Sequence, residues 1–105
     1  YPQDIEATVA EASPVVRRGY VTAFSVPAND SGQQLVIVAE RAAGTSRVDP
    51  QPAIESIRQA VWRRHHLEVS DVRLLPAGAI PRTTSGKLAR RACRAEYLNG
   101  TLGVR

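Results

Sequence analysis

Residues 35–39 form a continuous apolar run, Leu-Val-Ile-Val-Ala, with two polar residues on each side. The run is too short for a typical helix, and it lacks the apolar–polar alternation of a strand with one solvent-exposed face. It is typical of a strand that is covered on both faces. This segment therefore predicts a sheet with packing partners on both of its sides.

Two further strands are predicted. Residues 15–26 are rich in β-branched and aromatic side chains, and the proline that follows ends that strand. Asn-Asp-Ser-Gly at residues 29–32 is a strong turn signal, so residues 15–26 and 34–40 are predicted to pair as a β-hairpin. Residues 69–75 predict a third, short strand, with Val72 and Leu74 pointing to the same side.

Two helices are predicted on either side of the hairpin in the chain. Residues 1–12 carry apolar side chains at the i, i+4 and i+7 positions, and Asp4 and Glu6 suit the positive end of the helix dipole. Residues 52–66 begin with a proline, which is tolerated in a first turn. The buried face of this second helix is predicted to comprise Ile54, Ile57 and Val61, with Trp62 partly buried.

A last helix is predicted over residues 88–99, after a loop at residues 77–85. Leu88, Ala92 and Ala95 are predicted to point inward, and Gly100 suits the C′ position. The order helix, strand, strand, helix, strand, loop, helix predicts a small α+β fold: a three-stranded sheet, made of the hairpin and one further strand, covered by three helices. Residues 1–105 are predicted to form a single domain.

Composition limits the setting of the protein. Cys93 is the only cysteine, so an internal disulfide or a cysteine-based zinc cluster is impossible, and we expect no metal site. The single cysteine fits a reducing cytosol, and we expect a cytoplasmic protein. No apolar run approaches the ~20 residues of a transmembrane helix. Because the chain opens on Tyr1 and Pro2 rather than on methionine, we expect it to be a fragment of a longer protein.

The chain carries a net charge of +4, and its arginines far outnumber its lysines. The basic residues concentrate towards the two later helices, at Arg58, Arg63 and Arg64 and at Lys87, Arg90, Arg91 and Arg94. This balance fits a nucleic acid, a phosphate-rich cofactor or an acidic protein partner, as well as a solvated helix face. A nucleic-acid module is the weakest of these, because no aromatic residues are interleaved with the arginines.

Residues 79–87, Ala-Ile-Pro-Arg-Thr-Thr-Ser-Gly-Lys, carry the candidate chemistry. The hydroxyls and free N–H groups can contact oxyanions, Gly86 permits close approach, and Lys87 places a compact charge on a flexible stem. The helix-periodic run that follows predicts a helix N-terminus at the end of the loop, which favours anions. A P-loop is excluded, because Pro81 and Leu88 stand where that motif needs a glycine and a hydroxyl residue.

The loop resembles the signature of the adenylate-forming superfamily, which comprises acyl-CoA synthetases, peptide-synthetase adenylation domains and luciferase. That signature reads proline, a basic residue, threonine or asparagine, any residue, serine or threonine, glycine and lysine, and residues 81–87 match every defined position. Within the superfamily the chain resembles the C-terminal subdomain of fatty acyl-AMP ligases of the actinobacterial, mycobacterial type. The resemblance is carried by residues 1–6, 17–26, 34–41 and 90–100.

The resemblance implies that Lys87 is the catalytic residue of acyl-adenylate formation and bridges the carboxylate of a long-chain fatty acid and the α-phosphate of ATP. It implies that ATP and Mg²⁺ are bound mainly by a large N-terminal adenylation domain, which is absent from this chain together with its hinge. The small domain then acts in cis as a mobile lid, and the acyl group passes to the acyl carrier domain of a polyketide synthase. The chain alone is expected to be inactive. An acyl-CoA synthetase is the main alternative, followed by a basic protein- or nucleic-acid-interaction module.

The resemblance also assigns roles to the neighbours of Lys87. Substrate or phosphate contacts are expected from Arg82, Thr83, Thr84, Ser85 and Gly86. For Thr83 and Ser85 a helix cap is favoured over substrate contact, although the two roles can coexist. Arg82 fits an acidic surface of the N-terminal domain as well as phosphate. A positively charged face that meets the carrier or the neighbouring domain is expected from Arg90, Arg91 and Arg94.

Three other residues have plain structural interpretations. His65 and His66 are predicted to be surface histidines, because adjacent helix positions point in different directions and no second group of metal ligands appears. Cys93 lies near the apolar stripe of the last helix and is expected to be a small packing residue.

Overall fold

A computed structural model of the chain describes residues 1–29, 32–83 and 88–103. Three helices and three strands lie within these ranges, and they confirm the predicted α+β fold. They are α1 (Pro2–Ala12), β1 (Val16–Pro27), β2 (Gln33–Arg41), α2 (Gln51–His65), β3 (Val69–Leu75) and α3 (Arg90–Asn99). None of these helices combines the length and the apolar content that a bilayer crossing requires.

β2 is the central strand of the sheet, with β1 on one side and β3 on the other. Residues 21–27 of β1 pair antiparallel with residues 33–39 of β2, which confirms the predicted hairpin. β3 runs parallel to β2, because α2 carries the chain back between them. The predicted turn lies partly outside the described residues, since residues 30 and 31 are not described.

One face of the sheet is covered by α1 and α2. The centre of this first core consists of side chains that are 0% exposed: Ile37 and Ala39 of β2, Val9 of α1, and Ile57 and Val61 of α2. Ile54, which was predicted to be buried with them, is partly buried and packs against the same core. The apolar stripes of both helices therefore dock where their periodicity predicts.

The opposite face of the sheet is covered by α3 and by the loop that precedes it. The second core consists of Val36 and Val38 of β2, Phe24 and Val26 of β1, Ile80 of the loop and Cys93 of α3. Tyr97 of α3 closes the edge of this core, with its ring edge-on to Phe24 and the ring centroids 5.7 Å apart. Because β2 is buried on both faces, the prediction drawn from its apolar run is confirmed.

The predicted start of the last helix is wrong. α3 begins at Arg90 rather than at residue 88, because Leu88 pairs with Arg82 in an isolated antiparallel bridge. Ala89, the residue before the helix, has non-helical angles, with φ −95° and ψ 87°. A tertiary contact therefore overrides the helix-forming tendency of the local sequence.

The predicted inward face of α3 is only partly right. Leu88 packs against the second core as expected, but Ala92 and Ala95 are exposed. The side chains of α3 that face this core are Cys93 and Tyr97, one turn apart. Burial of a thiol and an aromatic ring removes more apolar surface from water than burial of two methyl groups, so the helix docks on that stripe.

Trp62 was predicted to be partly buried, and it is 53% exposed. α2 buries Ala53, Ile57 and Val61, and Trp62 follows the last of these by one position, about 100° further around the helix. Its ring stands edge-on to the ring of His66, with centroids 6.0 Å apart. The tryptophan therefore lies on the surface of α2 rather than at the edge of the core.

Candidate functional site

The loop between β3 and α3 is packed onto the sheet in its first half. Ile80 is 1% exposed in the second core, and its neighbour Ala79 is also buried. The N–H of Ala79 donates to the carbonyl of Pro76 at 3.2 Å. These contacts fix the path of the loop up to Pro81, the first residue of the signature.

A buried acid lies against this part of the loop. Glu40, near the end of β2, is 0% exposed, and each of its carboxylate oxygens accepts a hydrogen bond from the loop. The N–H of Gly78 donates to Oε1 at 2.9 Å, and the N–H of Ile80 donates to Oε2 at 3.1 Å. A buried carboxylate is costly unless it is hydrogen-bonded and paired with a cation, and the two amides meet the first of these conditions.

Two arginines meet the second condition. Arg17 donates from Nη1 to Oε1 of Glu40 at 3.1 Å, and Nη2 of Arg82 lies 3.4 Å from Oε1 and 3.5 Å from Oε2. Both guanidiniums also contact the ring of Tyr20, at 3.7 Å and 4.2 Å from its centroid. Burial raises the pKa of Glu40, but the two loop N–H groups and the two arginines outweigh burial, so this pKa lies below its ordinary value.

An irregularity in β1 supplies Arg17 and Tyr20 to this cluster. The register between β1 and β2 shifts between Val16 and Val21, and Gly19 in this stretch has φ 81°. A residue with a Cβ is strained in that region of backbone space, whereas glycine is not. The stretch therefore departs from the regular ladder at the position where two of its side chains reach Glu40 and Arg82.

The two ends of the signature segment meet at a neck. Arg82 and Leu88 form the antiparallel bridge, and the N–H of Ala89 donates to the carbonyl of Pro81 at 2.9 Å. Thr83 is exposed and is the last residue described before a gap. Four predicted site residues lie outside the described residues: Thr84, Ser85, Gly86 and Lys87. The described part of the chain thus places both ends of the segment that carries them.

A second acid holds the chain just after the neck. Glu6 of α1 accepts hydrogen bonds from Nε and Nη2 of Arg90, at 2.8 Å each, and from the N–H of Ala23 at 2.9 Å. The hydrogen bond to Glu6 raises the pKa of Arg90 above its ordinary value. Glu6 therefore joins α1, β1 and α3, whereas its position in the sequence predicted only a favourable interaction with the helix dipole.

Two of the three arginines expected to face a partner make contacts inside the domain. Arg90 pairs with Glu6, and Nε of Arg94 donates to the carbonyl of Ser25 at 2.8 Å. Arg91 is exposed, and within the described ranges it makes no hydrogen bond or ion pair. Arg91 is therefore the member of this set that is best placed to meet a partner, and such contact stays a prediction.

Neither residue expected to cap the last helix occupies its N-cap position. The N-cap position of α3 is occupied by Ala89, which makes no side-chain cap hydrogen bond, rather than by Thr83 or Ser85. The helix begins three residues after Lys87, so the prediction that the loop ends directly at a helix N-terminus is also wrong. The cause is the neck, in which Leu88 pairs with Arg82 and the N–H of Ala89 donates to the carbonyl of Pro81, so the helix starts only after them.

The adjacent histidines point in different directions, as predicted, but only one of them is the surface residue that was expected. His66 is exposed, whereas His65 is partly buried, with its Nε2 2.8 Å from Oγ1 of Thr8, and so ties α2 to α1. In the part of the chain that the structure describes, no three His, Cys, Asp or Glu side chains are grouped so that they could hold a metal ion.

Comparison with known proteins identifies homologues of the whole domain. The long-chain-fatty-acid–AMP ligase FadD32 of Mycolicibacterium smegmatis is 50% identical over 121 aligned positions, covering 97% of this chain and 19% of that ligase. A medium-chain-fatty-acid–acyl-carrier-protein ligase of Moorena producens is 38% identical, covering 97% of this chain and 17% of the relative. No model of a known protein family matches the chain.

The solved structures agree with the sequence relatives. The crystal structure of the fatty acid AMP ligase from Legionella pneumophila superposes with a TM-score of 0.75 at 33% identity, over 97% of this chain and 18% of that one. By homology, this chain belongs to the fatty acyl-AMP ligase family. Its fold is that of the small C-terminal subdomain of adenylate-forming enzymes, and it spans about a fifth of the length of the ligases it matches.

In this member of the fatty acyl-AMP ligase family, sequence reasoning missed both acids that hold the signature loop. Glu40 follows directly on the doubly covered apolar run of β2, and an acid in such a place signals a buried group with specific partners. Glu6 carries no comparable signal, because its partners Arg90 and Ala23 are distant in the chain. Tertiary structure alone brings them together.

Proposed function

We propose that this chain is the mobile C-terminal domain of a longer fatty acyl-AMP ligase. In this proposal the ligase uses ATP to convert a long-chain fatty acid to its acyl-adenylate, with release of pyrophosphate. A large N-terminal domain, joined in cis, binds ATP, Mg²⁺ and the fatty acid. The 50% identity to a long-chain-fatty-acid–AMP ligase over almost the entire chain is the observation that carries the proposal.

Lys87 is the catalytic residue in this proposal. Adenylation brings a fatty-acid carboxylate and the α-phosphate together, and negative charge builds on the phosphorus oxygens as they react. A cation placed beside these oxygens stabilises the transition state more than the ground state. Lys87 is then a charge stabiliser rather than a nucleophile, and the neighbouring hydroxyls and Arg82 contact substrate or phosphate.

The geometry of the neck is compatible with this role. Arg82 and Leu88 are bridged, so the two residues that flank the segment 83–87 lie side by side. Thr83 at the start of this segment is exposed. A short segment with fixed flanking residues suits the insertion of one side chain into a pocket built by another domain.

We assign the second half-reaction to acyl transfer onto a carrier. A relative that is 38% identical over 97% of this chain is named as a ligase of a fatty acid and an acyl carrier protein. The acceptor in our proposal is the phosphopantetheine thiol of a polyketide-synthase carrier domain. Arg91 on the exposed side of α3 is the residue that we expect an acidic carrier to meet.

The proposal is tested with the longer ligase, a long-chain fatty acid and ATP. Fatty-acid-dependent exchange of pyrophosphate into ATP is expected for the longer ligase and not for the 105-residue chain. After adenylation, a carrier protein and coenzyme A are supplied separately, and the acyl group is expected on the carrier. Turnover by the 105-residue chain would contradict the proposal that a large N-terminal domain is needed for adenylation. Acylation of coenzyme A but not of the carrier would favour an acyl-CoA synthetase.

A further inference from the structure

We propose that Glu40 is a positioning residue for adenylation. It holds the loop that carries Lys87 in the position and orientation that catalysis needs. The inference rests on the proposed function, because it assigns Glu40 a part in the same reaction. Glu40 itself touches neither substrate in this account. It acts through Gly78, Ile80 and Arg82, the residues that lead into the signature segment.

Glu40 contacts the loop at three residues. Its two oxygens accept the N–H groups of Gly78 and Ile80, at 2.9 Å and 3.1 Å, which fixes the backbone two residues apart. The third contact is to Arg82, whose Nη2 lies 3.4 Å from Oε1. Arg82 is also one side of the neck, through its bridge with Leu88. The carboxylate therefore sets the path of the chain from the end of β3 to the base of the segment that carries Lys87.

An ionised carboxylate suits this place better than any neutral side chain. It is an acceptor at both oxygens, and here it faces two amide N–H groups and the guanidiniums of Arg17 and Arg82. A glutamine has almost the same shape but only one oxygen. Its NH₂ group would meet a second donor, an N–H of the loop or a guanidinium, so at least one loop contact would be lost.

A purely structural role is the alternative, since loss of a buried ion pair also weakens a fold. The two roles differ in what they change. A weaker fold lowers the amount of active enzyme, whereas a displaced loop lowers the turnover of folded enzyme. Because the substrates bind mainly to the N-terminal domain in our proposal, a displaced Lys87 should lower kcat and leave the KM for ATP and for the fatty acid nearly unchanged.

The test compares Glu40→Gln with Asp71→Asn in the longer ligase. Asp71 is the control, because its carboxylate also accepts hydrogen bonds from an arginine and from a hydroxyl, Arg73 Nε at 3.0 Å and Tyr97 Oη at 2.8 Å. It makes no hydrogen bond or ion pair with the loop residues that the structure describes. We expect Glu40→Gln to lower the kcat of adenylation by roughly 10- to 100-fold at constant KM, the size of effect that misplacing a reacting group produces. Asp71→Asn should leave kcat within about twofold of the original value.

Hydrogen exchange supplies a readout that does not depend on activity. Peptides that contain the amides of Gly78 and Ile80 should exchange about tenfold faster or more in Glu40→Gln, because two protecting hydrogen bonds are weakened. The same peptides should be unchanged in Asp71→Asn. If Glu40→Gln does not fold, Glu40→Asp takes its place. It keeps the charge but is one methylene too short to reach both amides, and the same loss of kcat is expected.

The outcomes separate the two claims. If the unsubstituted ligase shows no adenylation, the proposed function fails. Hydrogen exchange then still shows whether Glu40 holds the amides of Gly78 and Ile80. If the ligase is active and the Glu40 variant keeps its kcat, the positioning role is overturned while the proposed function stands. An equal fall of kcat in Asp71→Asn would also overturn it, since both losses would then reflect a weakened fold.

Discussion

Glu40 and Glu6 hold the chain on opposite sides of the signature segment. Each carboxylate accepts hydrogen bonds from a backbone N–H group and from an arginine. Glu40 lies at the entry to the signature segment, against Gly78 and Ile80, and Glu6 lies just after its exit, against Arg90. Charge-assisted hydrogen bonds of this kind are stronger and more directional than neutral ones. At the scale of single residues, the chain is therefore fixed by a carboxylate both before and after the signature segment.

The buried position of Glu40 predicts an acid-dependent stability. Its pKa in the folded chain is below the ordinary value of 4.5, so ionised Glu40 stabilises the fold above that pH, and the contribution is lost as pH falls through the lower, folded-state pKa. We expect Glu40→Gln to lower the free energy of unfolding by about 3 kcal/mol at neutral pH. The difference from the original chain should narrow below pH 4.5.

Thermal unfolding of both chains between neutral and acidic pH measures this effect. The gap between their free energies of unfolding should stay level from neutral pH down to about pH 5, the range in which Glu40 is ionised in both states. A gap that is equally wide at acidic pH would show that the ionised carboxylate makes no special contribution.

Cys93 predicts a chemically protected thiol. The residue is 0% exposed, and burial raises the pKa of its thiol, a rise that the Thr22 hydroxyl at 3.4 Å only partly offsets. The thiolate is the reactive form, so the folded chain should react with a disulfide reagent at least about 100-fold more slowly than the chain in denaturant. Because Cys93 is the only cysteine, the absorbance change reports this site alone. Rapid labelling of the folded chain would contradict its place in the second core.

At the scale of elements, the sequence predicts what depends on local pattern and misses what depends on distant partners. The apolar run of β2 and the apolar periodicity of α1 and α2 are local, and all three were predicted correctly. The start of α3 was not, because Leu88 is held by Arg82 across the neck. The partners of Glu40 come from β1 and from the loop, 23 to 42 residues away, and no sequence period brings them together.

The end of α3 offers a test of a single backbone angle. Gly100 closes the helix with φ 73°, and a Cβ built there meets no atom within 4 Å. Gly100→Ala should therefore destabilise the chain by about 1 kcal/mol through backbone strain alone, with an unchanged denaturant m-value. Gly100→Asn is the matched control, because asparagine tolerates this conformation, and it should recover part of the loss. Equal stability of all three chains in urea would show that the left-handed conformation of Gly100 imposes no strain on other residues.

At the scale of the whole molecule, one central strand organises two cores with different tasks. The core under α1 and α2 consists of side chains from regular elements. The core under α3 includes Ile80 of the loop, and Glu40 emerges from β2 on that side. The signature segment is therefore attached to the most deeply buried strand of the domain.

The domain spans about a fifth of its relatives' length, and in our proposal its task is to contribute one side chain. In our account the large domain binds the substrates, and the small domain contributes Lys87. A candidate site could be proposed from sequence because its seven-residue signature is contiguous. The groups that position it could not, because they come from α1, β1 and β2.

Pyrophosphate exchange by the longer ligase carrying Lys87→Ala is the most direct test of this account. We expect the rate to fall by roughly 10²- to 10³-fold, as when one stabilising donor of an oxyanion is removed. Arg63→Ala on the exposed surface of α2 is the matched control for the loss of one positive charge, and it should leave the rate unchanged. A Lys87→Ala enzyme that adenylates fatty acid as fast as the original would contradict the account.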